Sequence, residues 1–351
     1  MVEHSGFSQK WTTPPSKAWH HGRTLAGAGG VVLSLFVLLQ AWWVLVPAPA
    51  LRGGPQMVEV FPRRGLFGIA RQLDEAGVIR SPAGFALLSA LRGSARSLKA
   101  GEYEIPKDST TLNILQLLES GKVKVHALLF PEGATLKDLA RLLEAEQLVK
   151  AKDVIRLATD RGFLQTLGVE ADSLEGYLFP DTYSFFKGMS PQEILARMVH
   201  RLRELLTADI LAQARAQGLT LHQLLTLASI IEKEAAIPTE QALISAVFWN
   251  RLNRGMLLQA DPTVRYALGN PDQALTRADL QADSAFNTYR HHGLPPAPIA
   301  SPGKGAILAA LNPAKVSYLY FVSVDGRRHF FSTTLEQHNS AVAKYRIARA
   351  Q

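Results

Sequence analysis

Two stretches of this chain, about 70 residues apart, spell the same local structure, and that duplication limits what the front half can fold into. Met57 to Ile79 reads as a short strand, a turn and a helix, and Ala127 to Val149 repeats it. Phe61-Pro62 with Gly65 matches Phe130-Pro131 with Gly133, Ile69-Ala70-Arg71 matches Leu139-Ala140-Arg141, and Val78-Ile79 matches Leu148-Val149. The repeats also close alike, with Gly101-Glu102-Tyr103 through Pro106 echoing Gly176-Tyr177 through Pro180. Two related βααβ units are expected, too few for a solenoid.

Ahead of them lies an apolar run. From Leu25 to Val46 every residue is apolar or small except Ser34 and Gln40, long enough to cross a bilayer as a helix with Trp42 and Trp43 at its far end. Ala48-Pro49-Ala50 resembles a cleavage site, yet the run exceeds the core of a signal peptide, so an uncleaved anchor is expected. Lys10, Lys17 and Arg23 before it nearly balance Arg52, Arg63 and Arg64 after it, and the charge rule leaves orientation open, with Arg23 tilting it toward a cytoplasmic N-terminus. The chain has no cysteine, which suits an exported body and a cytosolic one equally. Its formal charge of +8 is scattered among acids, which describes a solvated basic surface and not a nucleic-acid-binding run.

Beyond Pro191 helices are expected near 191–206, 220–236 and 239–253, then a short one opening at Asp261-Pro262 and stopping at Gly269. Strands from Tyr318 to Val324 and Arg327 to Ser332 flank Asp325-Gly326, a two-residue turn signal, and a helix capped by Thr334 follows.

The 220–236 helix carries the chemistry. Thr220 with Gln223 is a capping box, Leu219 can staple to Leu224, and Pro238 sets the stop. At 100° per residue Leu224, Leu227, Ala228 and Ile231 form one buried stripe, and Glu234 falls on its shoulder between Leu227 and Ile230. Glu232 lands on the opposite shoulder, near Leu225 and Ala228, so the two need not share a role. A carboxyl among Leu and Ile side chains holds its proton toward neutral pH, as a general acid must. The same pattern also describes a surface helix ending in solvated charges.

Other chemistries lack their residues. There is no thiolate, His291 and His292 are adjacent and cannot share a helix face, and no metal site or cofactor is expected. Gly303-Lys304 lacks the earlier glycine of a phosphate loop, and no Gly-x-Ser-x-Gly elbow occurs. What remains are loops mixing rings with polar groups, a mixture suited to sugars. These are Leu174-Glu175-Gly176-Tyr177 through Asp181-Thr182-Tyr183, Gln259-Ala260-Asp261-Pro262-Thr263, and Phe286-Asn287-Thr288-Tyr289. Asp261 alone reads as a helix cap before a catalytic group. Gly293-Leu294-Pro295-Pro296 through Pro302 would be a stiff groove wall or a connector.

Taken together these strings resemble the endolytic lytic transglycosylases of bacterial cell walls, the MltG or YceG-like family. The resemblance rests on Glu175-Gly176-Tyr177 with Pro180-Asp181-Thr182-Tyr183, on Ala228 through Glu234, and on Val247-Phe248 with Asn250-Arg251-Leu252. It continues through Gln259 with Asp261-Pro262-Thr263-Val264, Asn287-Thr288-Tyr289 and Gly293-Leu294-Pro295-Pro296. Ala260 where Thr or Ser is usual, Phe286 where Tyr is usual and Trp249 before Asn250 depart from the pattern.

The resemblance implies an α+β fold in four parts. They are a cytoplasmic tail (1–24), a transmembrane helix (25–47), a LysM-like βααβ module (52–108), and a YceG-like catalytic domain (125–351) containing the second βααβ unit (125–185). It implies a lyase of the inner membrane with its body in the periplasm, cutting the MurNAc-β-1,4-GlcNAc bond of peptidoglycan strands without water, leaving 1,6-anhydro ends and setting glycan length beside peptidoglycan synthases. The family's catalytic glutamate falls on Glu234, with Glu232 as the fallback. Glu175, Tyr177, Asp181, Gln259, Asp261, Asn287 and Tyr289 are the expected substrate-binding residues. Two other readings stay open: a muramidase-type hydrolase in which Asp261 or Glu232 activates water, and a membrane-anchored glycan-binding scaffold without catalysis.

Overall fold

The structure, a computed structural model, describes residues 31, 34–61, 64–269 and 274–350, the last five by their backbone. The expected tail and most of the first third of the expected span lie outside the described residues. The fold is mixed α+β and divides into two compact units, Met1–Lys124 and Val125–Gln351.

In the first unit, helix α1 (34–45) exposes Leu35, Phe36, Val37, Leu38, Leu39, Trp42 and Leu45. Ser34–Arg52 is the one segment among the described residues long and apolar enough to cross a membrane, with mean hydropathy 1.7. Strand β1 (Gln56–Val60), helices α2 (Leu66–Glu75) and α3 (Pro82–Leu91), and strand β2 (Gly101–Ile105) follow, β1 pairing antiparallel with β2. Helix α4 (Thr111–Ser120), absent from the sequence reading, is capped by Thr110 and Asn113. It adds Ile114, Leu115 and Leu118 to the core that holds Leu51, Leu73, Phe85 and Tyr103, so this core reaches past residue 108.

The second unit opens with β3 (His126–Phe130), α5 (Leu136–Ala145), α6 (Ala151–Ala158), α7 (Arg161–Thr166) and β4 (Asp181–Phe185), with β3 antiparallel to β4. The registers coincide: Val58 faces Tyr103 and Leu128 faces Tyr183. Each tyrosine donates its hydroxyl to the carbonyl four residues back, Tyr103 to Lys99 (2.7 Å) and Tyr183 to Phe179 (2.6 Å). This corrects the expected match between Tyr103 and Tyr177. The second repeat carries an additional helix, α7, before its closing strand, which displaces the true counterpart by six residues in the sequence.

Helices α8 (Pro191–Leu205), α9 (Ala208–Ala216), α10 (Leu221–Glu234), α11 (Gln241–Asn253), α12 (Asp261–Leu268) and α13 (Lys304–Leu311) build the rest of the core. Helix α10 starts at the Thr220 capping box, as expected, but its burial is wider than one stripe. All eight residues from Leu224 to Ile231 are buried, because α13, α11, α12 and α9 pack around it. Ser229 and Thr226 satisfy their hydroxyls inside the core, Thr226 on the His222 carbonyl (2.7 Å) and Ser229 on that of Thr226 (2.7 Å). Strands β5 (Tyr320–Ser323) and β6 (His329–Ser332) and helix α14 (Leu335–Ala350) close the chain. The hairpin turn is longer than the two residues expected. Asp325 accepts the N–H groups of Arg327 (2.9 Å) and Arg328 (2.8 Å), so its side chain makes a wider turn, with Gly326 at φ 86°.

Candidate functional site

Helix α10 delivers Glu234 to a cavity of about 410 Å³ lined by Arg251, Gln259, Asp261, Tyr289, His329 and His338, among others. The helix ends there because Ala235 turns extended and Pro238 lies three residues on. Glu234 is half-buried, and among the described residues no donor is hydrogen-bonded to its carboxylate. Its pKa is pushed up to about 8, first by burial, then by the negative charge of Asp261, against the pull of Arg265 and Arg251. The carboxyl therefore keeps a proton near neutral pH while still facing the cleft.

Asp261 is the first residue of α12 and not its cap: Ala260 holds that position, and no side chain caps the helix. The Asp261 carboxylate is thereby left to accept the Tyr289 hydroxyl at 2.6 Å. Burial and that carboxylate together raise the Tyr289 pKa. Gln259 sits at φ 52°, in the left-handed region where a residue with a Cβ is strained. Its main-chain N–H bonds the Thr288 carbonyl (3.0 Å), and the Ala260 N–H bonds the Thr288 hydroxyl (3.0 Å). Asn287 holds the same loop, giving its amide to Leu280 (3.1 Å) and Ala282 (2.8 Å) and accepting the Tyr289 N–H (3.0 Å). Thus two of the sugar-suited loops are laced together, and their rigidity holds Gln259, Asp261 and Tyr289 around Glu234.

Of the residues expected to bind substrate, the structure gathers those three with Glu234 and leaves four outside the lining of this cavity. Asn287 is fully buried behind it. Glu175 is buried in a neighbouring cavity, accepting the Leu136 N–H (3.0 Å), and burial raises its pKa to about 7. Tyr177 pairs its hydroxyl with His222 Nδ1 (2.9 Å). Asp181, on β4, is bound by Arg201 (2.7 Å), which holds its carboxylate below the usual range. Glu232, the fallback, accepts the Gly303 N–H (3.0 Å) and does not line the cleft.

Sequence reasoning missed Arg251, His329 and His338. Arg251 had a readable signal, since it continues the α11 stripe of Ile244, Val247 and Phe248, the same argument that singled out Glu234. It is buried, gives Nε to Leu319 (2.7 Å) and Nη1 to Leu258 (2.8 Å), and lies over the Tyr320 ring. His329 and His338 come from the hairpin and α14, and nothing in their local pattern sets them apart.

The fold and this cleft define a mixed α+β protein with a polar groove into which a half-buried carboxyl opens. Residues 58–344 match the YceG-like family, and the chain belongs to it. It is 34% identical over 292 residues, 79% of this chain and 81% of the relative, to a Bacillus subtilis (strain 168) protein named endolytic murein transglycosylase. It is 30% identical over 309 residues to the protein of that name in Streptococcus pneumoniae serotype 2 (strain D39), covering 79% of this chain and 56% of that relative. A solved yceG-like protein from Listeria monocytogenes superposes with a TM-score of 0.58 at 34% identity, over 82% of this chain and 98% of that one.

Proposed function

We propose that this protein is an endolytic lytic transglycosylase acting on peptidoglycan, with Glu234 as its acid and base. The observation that carries the reading is the Glu234 carboxyl, raised to about 8 by burial and by Asp261, set in a cleft of polar side chains. Glu234 first protonates the oxygen bridging MurNAc and GlcNAc, and the bond from that oxygen to C1 breaks. The MurNAc C6 hydroxyl then attacks C1 and returns its proton to the Glu234 carboxylate, closing a 1,6-anhydro ring without consuming water. In this mechanism Asp261, anchored by Tyr289, offsets positive charge developing at C1. Gln259, in the same lining, grips a sugar hydroxyl. Glu175, Tyr177 and Asp181 lie outside the lining of the cleft, so any contact they make with the strand is beyond it.

The same reading places the body in the periplasm behind an inner-membrane anchor formed by residues 25–46. It makes the first repeat, residues 52–108 with α4 completing its core, a LysM-like glycan-binding module. Control of glycan length beside peptidoglycan synthases belongs to this proposal too. A muramidase-type hydrolase is the second reading, because Asp261 shares the cleft and could direct a water. Digestion of purified sacculi decides: new anhydro ends support the transglycosylase, new reducing ends the hydrolase, and an unchanged polymer sinks both.

A further inference from the structure

His329, in the lining of the cleft, belongs to a polar pair that the proton transfers above leave unused. Glu240, at the end of the short turn Pro238–Glu240, is buried, and His329 on β6 takes both of its oxygens. Oε1 accepts the His329 main-chain N–H at 3.0 Å, and Oε2 faces the ring Nδ1 at 2.7 Å. Both oxygens of a carboxylate accept, so in the neutral ring the tautomer that satisfies this contact carries its proton on Nδ1. Nε2 is then left with a lone pair, and among the described residues nothing is hydrogen-bonded to it. The ring itself is held by Phe321, nearly perpendicular at 5.2 Å between centroids, and by Phe331 at 6.3 Å. His329 lines the cavity that holds Glu234.

We infer that His329 grips the glycan, its Nε2 accepting a hydrogen bond from a sugar hydroxyl in the cleft, while Glu240 is a positioning residue that fixes the ring's orientation and tautomer. The inference rests on the glycan-cleaving reading of the same cleft. Its chemistry complements the site: a lone pair held stationary by a buried partner selects a donor, and hydroxyls are what a glycan strand has most of. A ring free to turn or to change tautomer would lose that selectivity.

The test uses the detergent-solubilised full chain carrying Glu234→Gln, so that bound strands stay uncut, with affinity for uncrosslinked glycan strands as the readout. His329→Ala should weaken binding by about two- to tenfold, the worth of one hydrogen bond. His329→Gln, which can present an amide oxygen near the lost Nε2, should recover most of it. In the cleaving chain the alanine change should raise KM and leave kcat within about twofold. Nitrogen NMR of the imidazole should find the proton on Nδ1, and Glu240→Gln, which cannot accept from both N–H groups, should move it to Nε2 and weaken binding as His329→Ala does. Unchanged affinity in His329→Ala with a lowered melting temperature would reduce the pair to a staple between β6 and the turn. A proton on Nε2 in the unaltered ring would also overturn the inference, and that measurement needs no variant to fold. Should the chain with Glu234 intact release no new glycan ends, the catalytic reading fails while these affinities still stand on their own.

Discussion

Glu234 and Glu232 are two positions apart on one helix yet meet different fates. Gly303 occupies the Glu232 carboxylate, and only Glu234 turns into the cleft. Glu234→Gln should abolish cleavage, because the amide keeps the shape and has no transferable proton, while Glu232→Gln should keep most of it. Loss in Glu232→Gln with activity retained in Glu234→Gln would falsify the assignment. In the proposed mechanism the acid form starts the reaction, so kcat/KM should fall about tenfold per pH unit above the Glu234 pKa of about 8. The same shift bears on stability. The folded chain binds this proton more tightly than the unfolded one, so stability is lost as pH rises between the ordinary carboxylate value of 4.5 and about 8. Glu234→Gln escapes that penalty. Near pH 8.5 it should exceed the parent in stability by about 1–3 kcal/mol, with the gap closing toward pH 4.5, as paired denaturant titrations would show.

At the level of elements, the groove depends on how the Gly293–Pro302 loop is clamped. Gly133 and Ala134 exchange main-chain hydrogen bonds with Ser301 (2.9 and 2.8 Å), and Ser229 accepts the Ile299 N–H (3.0 Å). Gly176, at φ 79°, lies so close that a Cβ there would collide with the Pro298 ring. Gly176→Ala should therefore cost about 2–4 kcal/mol through both the backbone and the clash, read from the denaturation midpoint. Removing the α10 cap with Thr220→Ala should cost about 1 kcal/mol. Much of this was legible from local code. The capping box marked the start of α10, Gly269 the end of α12, and duplication the two repeats, though it set the closing strand of the second too early, at Gly176–Pro180 instead of Asp181–Phe185. What was hidden follows from long-range packing: α13 is a run of small and apolar residues with no side-chain cap, and α4 is capped through Asn113 where Glu or Gln would be the recognisable signal. The site divides the same way. Glu234, Gln259, Asp261 and Tyr289 stood in motifs, whereas Glu240 and His329 meet across 89 residues, which no local pattern encodes.

Across the whole molecule, each unit has its own apolar core. Deleting the first repeat together with α4 should weaken action on polymeric strands far more than on short fragments, because remote binding helps only substrates that reach it. Equal losses on both would assign the segment to stability. The way that unit follows its apolar helix sets a further limit. Only nine residues separate Val46 from Gln56, at most about 30 Å of extended chain, and they are not slack. Pro47 accepts Arg80 Nε (3.0 Å), Leu51 is fully buried with its carbonyl on the Asp108 N–H (3.2 Å), and Ser81 in front of α3 donates to Gln40 of α1 (2.6 Å). With α1 in a bilayer, the module is a bracket and not a leash, and the radius it can search is set by its own size. A flexible insert of about twelve Gly and Ser residues between Val46 and Pro47 would add roughly 20 Å of reach. New glycan ends should then appear in wall material farther from the membrane, and an unchanged depth of cutting would show that something other than this short mount sets the reach.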